Sequence, residues 1–143
     1  MSTRARIGIV NADKSVTSIY THSDGYIEHH GPILLNHYNT EAKIRGLLKL
    51  GNLSVLGKEL GKKHDFNTQY DVYPDWCKAY KRDRGDKLEL AKNKTVALFE
   101  EMCRNSDQEW MYLFNNGVWH ISGTGLIKWK NLETEYIKTR LTT

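Results

Sequence analysis

Asn116-Gly117 constrains the fold of this chain more than any other pair of residues. It sits between "EWMYLF" and "VWHIS", two runs rich in aromatic and β-branched residues. An Asn-Gly pair so placed supplies the positive φ angles that a tight hairpin turn requires. A β-hairpin over residues 109–122 is therefore expected, and the rest of the chain must provide a sheet for it to join.

A second hairpin is legible near the start. "RARIGIV" alternates Ala5, Ile7 and Ile9 against Arg4, Arg6 and Gly8, then a polar stretch, Asn11 to Ser15, leads into "VTSIYTH". The strands are expected near 4–10 and 16–22. Period two puts Tyr20 and His22 on one face of the second strand, with Ile19 and Thr21 on the other.

Helices are signalled by their ends. Gly25 lets the chain turn, and Pro32 suits a first helical turn because its missing N–H would have no partner there, so a short helix is expected over 32–38. In "NTEAKIRGLLKLG", Asn39 or Thr40 can cap a helix whose stripe is Ile44, Leu47 and Leu48, and Gly51 stands just past its end. "NLSVLGKELG" begins at another capping residue, Asn52, and reads as one more turn of helix before Gly61. Residues 61–75 show neither period and read as a long loop. The segment 76–81 reads as a strand entering a charged turn. Residues 88–104 carry Ala91, Thr95, Leu98, Phe99 and Met102 at helical steps and read as the longest helix. A strand "LIKW" and a helix bearing Leu132, Tyr136, Ile137 and Leu141 follow. The expectation is a single α+β domain over 1–143 with a loop-rich centre at 61–87: an antiparallel sheet of about five strands, built from the two hairpins, with helices packed on one face.

Composition narrows the function classes. No stretch reaches the roughly 18 apolar residues of a membrane span, and "MSTRARIGIV" has no apolar leader or small-residue cleavage site. The expected location is therefore the cytoplasm. Cys77 and Cys103 lack CxxC spacing and read as reduced, buried thiols rather than a disulfide or zinc framework. The formal net charge is +4. It divides as +2 over residues 1–60, +3 over 61–94 and −1 over 95–143, so the centre is the basic part. That tilts partners toward anions without naming nucleic acid.

Three constellations could carry chemistry. His22, His29, His30 and His37 lie close in sequence with Asp24 and Glu28, but no pair has the i, i+3 or i, i+4 spacing of helical metal ligands, and His22 and Asp24 share a face only if the strand runs through Asp24. No metal or cofactor is expected. In "AYKRDRGDK", Arg82 and Arg84 would share a face if extended and could grip a phosphate or carboxylate, whereas Asp83 and Asp86 argue for a self-neutralised surface. Trp110, Tyr112, Phe114 and Trp119 could stack bases, although core packing accounts for them more simply. No phosphate-binding loop, dinucleotide fingerprint or nucleophile elbow occurs, which lowers the case for an enzyme.

The residues also carry a resemblance. "TRARI", "SIYTHSDGY", "LLNHY", "LGNLS", "AYKRDRG" and "YLFNNGVW" follow the order of motifs in a family of small proteins from tailed bacteriophages and mobile elements, which typically read TRSxI, IYxHWDGY, LLxHY, LGDLSSLG, AYxRDRG and YLFxxGxW. The matching residues include Arg4, His22, Asp24, Tyr26, His37, Tyr80, Arg82, Asp83 and Arg84. Ser23 replaces an aromatic residue, Thr21 a frequent Cys and Ile27 a usual Pro, and the centre is short. The resemblance implies a phage accessory protein in the host cytoplasm, acting by binding in an anti-defence or host-takeover role. Its expected ligand site is Arg4, Tyr20, His22, Asp24, Tyr26, Tyr80, Arg82 and Arg84, facing a nucleotide-like anionic small molecule or a host protein. The alternatives are a small nucleotide-processing hydrolase using His22 and Asp24 and a nucleic-acid-binding regulator, the latter less favoured. Self-association stays open.

Overall fold

The computed structural model describes residues 2–69, 71–123 and 126–141. In chain order its elements are β1 (Ala5–Val10), β2 (Val16–Thr21), α1 (Ile27–His37), α2 (Glu41–Lys49), β3 (Leu53–Val55), β4 (Lys78–Ala79), α3 (Tyr80–Arg84), β5 (Ala91–Asn93), α4 (Val96–Arg104), β6 (Trp110–Asn115), β7 (Val118–Gly123), β8 (Leu126–Asn131) and α5 (Leu132–Leu141).

Both hairpins form where the sequence puts them. β1 and β2 pair antiparallel from Ala5 opposite Thr21 to Val10 opposite Val16. β6 and β7 pair around Asn116 and Gly117, whose φ angles are 52° and 77°. The chain is α+β as expected, but its sheet is mixed rather than antiparallel. The strand order is β4-β3-β2-β1-β6-β7-β8, with β5 also pairing β2. The two hairpins join through parallel pairing of β1 with β6, Ala5 opposite Trp110, and β3 runs parallel to β2, Leu53 opposite Thr21.

One sheet face carries the main core. Ala5, Ile7, Ile9, Ile19, Tyr112, Phe114, Trp119 and Ile121 pack there against Ile27, Ile33 and Leu34 of α1, Ile44, Leu47 and Leu48 of α2, and Leu132 of α5. Burying each large aliphatic side chain contributes about 1.5–3 kcal/mol. The opposite face is covered in part by α4, through Val16, Phe99, Cys103, Met111 and Leu113. Helices therefore lie on both faces, with three of the four longer ones on the main core.

Four expectations are corrected. α1 starts at Ile27 rather than residue 32, so Pro32 lies inside the helix. His29 and His30 thus belong to its first turn and not to a link. Residues 53–55 form β3 rather than helix. There Asn52 is no cap: its side-chain oxygen accepts the Tyr20 N–H at 2.9 Å, so the free edge of β2 recruits this segment. The expected strand 76–81 shrinks to β4, and α3 begins at Tyr80. The expected helix 88–104 divides into β5 on the edge of β2 and α4, whose Thr95 cap accepts the Leu98 N–H. α4 has 9 residues and α1, with 11, is the longest helix.

The stretch 61–75 has no helix or strand among its described residues, yet it is tied down. Glu59 bridges to Trp76. A Cβ on Gly57 would stand 2.4 Å from the Asp75 carbonyl oxygen, so only glycine allows that close approach.

Candidate functional site

The "AYKRDRG" stretch folds as one turn of helix, which sends its two arginines different ways. Arg82 turns inward. Its Nε and Nη2 donate to the Asp83 carboxylate at 2.9 and 3.1 Å, Nη1 to the Leu60 carbonyl at 2.6 Å and Nη2 also to the Cys77 carbonyl at 2.8 Å. The Asp83 side chain is 0% exposed and accepts in addition the backbone N–H groups of His64 and Ala79 at 3.1 and 2.8 Å. Burial pushes the Asp83 carboxyl up, but the Arg82, Ala79 and His64 hydrogen bonds outweigh it and hold the group below its ordinary value. Arg82 is therefore a strut of the fold. It does not face a ligand.

Arg84 turns outward. Its guanidinium lies 4.6 Å from the Tyr80 ring centre and 4.9 Å from that of Phe66, and these two rings stack at 5.5 Å. Asp86 holds it in bidentate fashion at 2.8 and 2.6 Å, the geometry that best fixes a guanidinium plane. Arg82 and Arg84 do not share a face, contrary to the extended reading.

Beside this turn is a cavity of about 290 Å3. Tyr20 and Tyr80 line it with Asn52, and its charged lining is Lys81, Arg84 and Lys87 against Asp86 and Glu89. Lys81 and Lys87 are exposed and make no ion pair among the described residues. Asn52 is held by β2, and Tyr80 by its N–H bond to the Asn52 carbonyl at 3.3 Å. The cavity wall thus joins the sheet edge, through Tyr20 and Asn52, to α3 and the loop that follows it.

The end of β2 also sets His22 beside Tyr20. Tyr20 and His22 fall on one face, as period two requires, while Ile19 and Thr21 are buried on the other. The Tyr20 hydroxyl lies 2.8 Å from His22 Nδ1. Arg4 acts electrostatically on the Tyr20 hydroxyl and pairs with Asp107 at 3.0 Å. Burial raises the Tyr20 hydroxyl above its ordinary value, against the lowering effect of Arg4.

Asp24 and Tyr26 lie elsewhere. β2 ends at Thr21, and Asp24 has φ 57°, so it leaves the strand face that carries His22. His22 and Asp24 form no ion pair among the described residues. Tyr26 is the exposed residue preceding α1, with its ring 6.2 Å from that of His29. The structure therefore gathers Arg4, Tyr20, His22, Tyr80 and Arg84 and leaves out Asp24, Tyr26 and Arg82.

The histidines divide in the same way. His22 faces Tyr20, His29 and His30 sit together in α1, and His37 is exposed at the end of that helix. Among the described residues no three His, Cys, Asp or Glu side chains converge on one point as metal ligands would. Cys77 is buried beneath Tyr38, whose hydroxyl donates to the Gly57 carbonyl at 2.8 Å, and burial raises the Cys77 thiol above its ordinary value. Cys103 is buried on the inner side of α4, and burial raises its thiol to about 11. Neither thiol has the lowered pKa of a nucleophile.

Sequence reasoning missed Asn52, Lys81, Lys87, Asp86 and Glu89 as lining residues. Lys81, Asp86 and Lys87 stood inside the stretch already singled out, "AYKRDRGDK". Asn52, read as a helix cap, and Glu89 carried no signal of a site, because only the pairing of residues 53–55 with β2 brings them beside Tyr20.

No helix among the described residues is long and apolar enough to cross a membrane. Comparison of the chain with protein-family models, curated proteins and solved structures finds no match.

Proposed function

We propose that this chain acts by binding, as a bacteriophage accessory protein in the host cytoplasm. In this reading it holds a nucleotide-like anionic ligand in the cavity between Tyr20 and Tyr80, in an anti-defence or host-takeover role. The observation that carries the reading is the lining: two tyrosine rings beside Lys81 and Lys87, which form no ion pair among the described residues and share the cavity with Asp86 and Glu89. Aromatic faces accept a base and lysines accept phosphate charge, and a pocket of roughly 300 Å3 or more is the size that takes a small molecule. Arg84, fixed by Asp86, keeps the Tyr80 ring in place from outside.

A second reading, inhibition of a host protein, draws on one separate feature. Val72 and Tyr73 are 54% and 40% exposed in the segment between β3 and β4, where an apolar contact with a partner would be accessible.

Two experiments separate them. Heat denaturation of purified protein followed by mass spectrometry of the released small molecules, with titration of nucleoside mono- and triphosphates, tests the first. Pull-down from infected-cell lysate with wild type and Tyr73→Ser tests the second. Saturable nucleotide binding lost in Tyr80→Ala supports ligand capture. A host protein lost with Tyr73→Ser, with no nucleotide bound or released, replaces it.

A further inference from the structure

The side chains of His29 and His30 meet nitrogen to nitrogen. Their Nδ1 atoms are 3.0 Å apart, and His30 Nε2 lies 2.9 Å from the Thr21 hydroxyl. His30 and Thr21 are both 0% exposed, while His29 is half-buried and reaches the surface. A chain of polar groups thus runs from solvent through the first turn of α1 to the last residue of β2, which stands between Tyr20 and His22. We infer that this chain is a proton-operated latch, closed while at least one of the two rings is neutral and open once both are charged.

The reason is donor arithmetic. Each neutral imidazole has one N–H and one lone pair, so the close Nδ1 pair needs one ring to donate and the other to accept. With both rings neutral this is met in either direction. If His29 gains a proton, its Nδ1–H donates, the His30 Nδ1 accepts, and the His30 Nε2–H donates to the Thr21 oxygen. The Thr21 hydroxyl then has the Ala5 carbonyl, at 3.5 Å, as its acceptor. One added proton therefore reverses the chain without breaking it. A second proton, on His30, sets two N–H groups and two positive charges face to face, and the pair must separate.

The groups around the pair do not supply a compensating buried anion. His30 packs against the Tyr112 ring at 5.4 Å, and the Tyr112 hydroxyl is already donating to the Gly25 carbonyl at 2.6 Å. Tyr136 of α5 touches the neighbouring Gly31 position. Tyr26 faces His29. The carboxylates in range are Asp24, in the turn, and Glu28, on α1; both are exposed, and the Asp24 backbone also interacts with both rings. Burial lowers His29, and lowers His30 much further, below the ordinary value of 6.5, so the closed form persists through neutral pH and opening requires acid.

Opening would release the first turn of α1 and the Gly25 turn while leaving the β1–β6 core intact. The test is histidine side-chain 15N NMR combined with amide hydrogen exchange from neutral to acid pH, on wild type and on His29→Gln, whose amide can serve His30 Nδ1 without titrating. In the wild type the two rings should titrate as a coupled pair, His30 holding its proton on Nε2 after His29 charges. When His30 charges, exchange of the Gly25 and His30 amides, corrected for intrinsic chemistry, should accelerate by about tenfold or more over that of Ile7. In His29→Gln the coupling disappears and charging of His30 no longer opens the turn, because the Gln side-chain oxygen accepts the added N–H. The inference is overturned if both rings charge with these amides still protected, if the rings titrate independently, or if Ile7 loses protection together with α1.

Discussion

The Asp83 carboxylate, buried against the guanidinium of its own neighbour Arg82, holds the segment from Leu60 to Arg84 together. Six hydrogen bonds centre on the pair, four of them to backbone groups of Leu60, His64, Cys77 and Ala79. The "RDR" of this chain is thus two devices in one turn: an inward strut, Arg82–Asp83, and an outward arm, Arg84, at the cavity.

Removing one partner of a buried pair leaves the other charge without compensation and typically costs about 3–5 kcal/mol. Asp83→Ala is expected to destabilise the chain by about that much in urea unfolding. Arg84→Ala removes an exposed pair and should leave the urea midpoint much less changed. Equal losses from the two substitutions would contradict the division of roles.

Acid should act through the same carboxylate. Asp83 is held below its ordinary value of 3.8 in the folded chain. The unfolded chain therefore takes up its proton first as pH falls, and the stabilisation is complete above about pH 4 and is lost as pH drops through the lowered folded value. His30 adds a loss that begins below 6.5, because it stays neutral when folded but can charge when unfolded. The urea midpoint should be flat above neutrality, fall below about pH 6.5 and fall again below about pH 4. Asp83→Asn, though less stable throughout, should show a smaller second fall.

The Tyr112 hydroxyl, fully buried, joins β6 to the Gly25 carbonyl 87 positions earlier in the sequence. Tyr112→Phe keeps the ring but strands that carbonyl and is expected to cost about 1–3 kcal/mol. Differential scanning calorimetry measures it, and an unchanged transition would show that Gly25 finds another donor.

Much of the fold was readable because its signals are local. Asn116-Gly117, the alternation in residues 4–10 and the Thr40 cap each act within a few residues of where they stand. Two of the errors share one physical origin, the free edge of β2. It pairs with residues 53–55 at one end and 91–93 at the other, overriding helical patterns at Asn52 and Leu88–Arg104. Helix α1 was shortened because Pro32 is a good first-turn residue, yet a helix can also hold it one turn further in. For the candidate site, strand periodicity placed Tyr20 beside His22 correctly. The fates of Arg82 and Arg84 depended on whether residues 80–84 coil, and Asp24 on a single left-handed φ, neither of which a period reveals.

Calorimetric titration of nucleoside phosphates into wild type and Tyr80→Ala, at two salt concentrations, reads the proposed ligand capture between Tyr20 and Tyr80. The expected result is one saturable site per chain, weakened about tenfold or more by Tyr80→Ala through lost stacking. Affinity should also fall as salt screens Lys81 and Lys87. Absence of binding in the wild type, or binding of equal strength in a correctly folded Tyr80→Ala, would contradict the proposal.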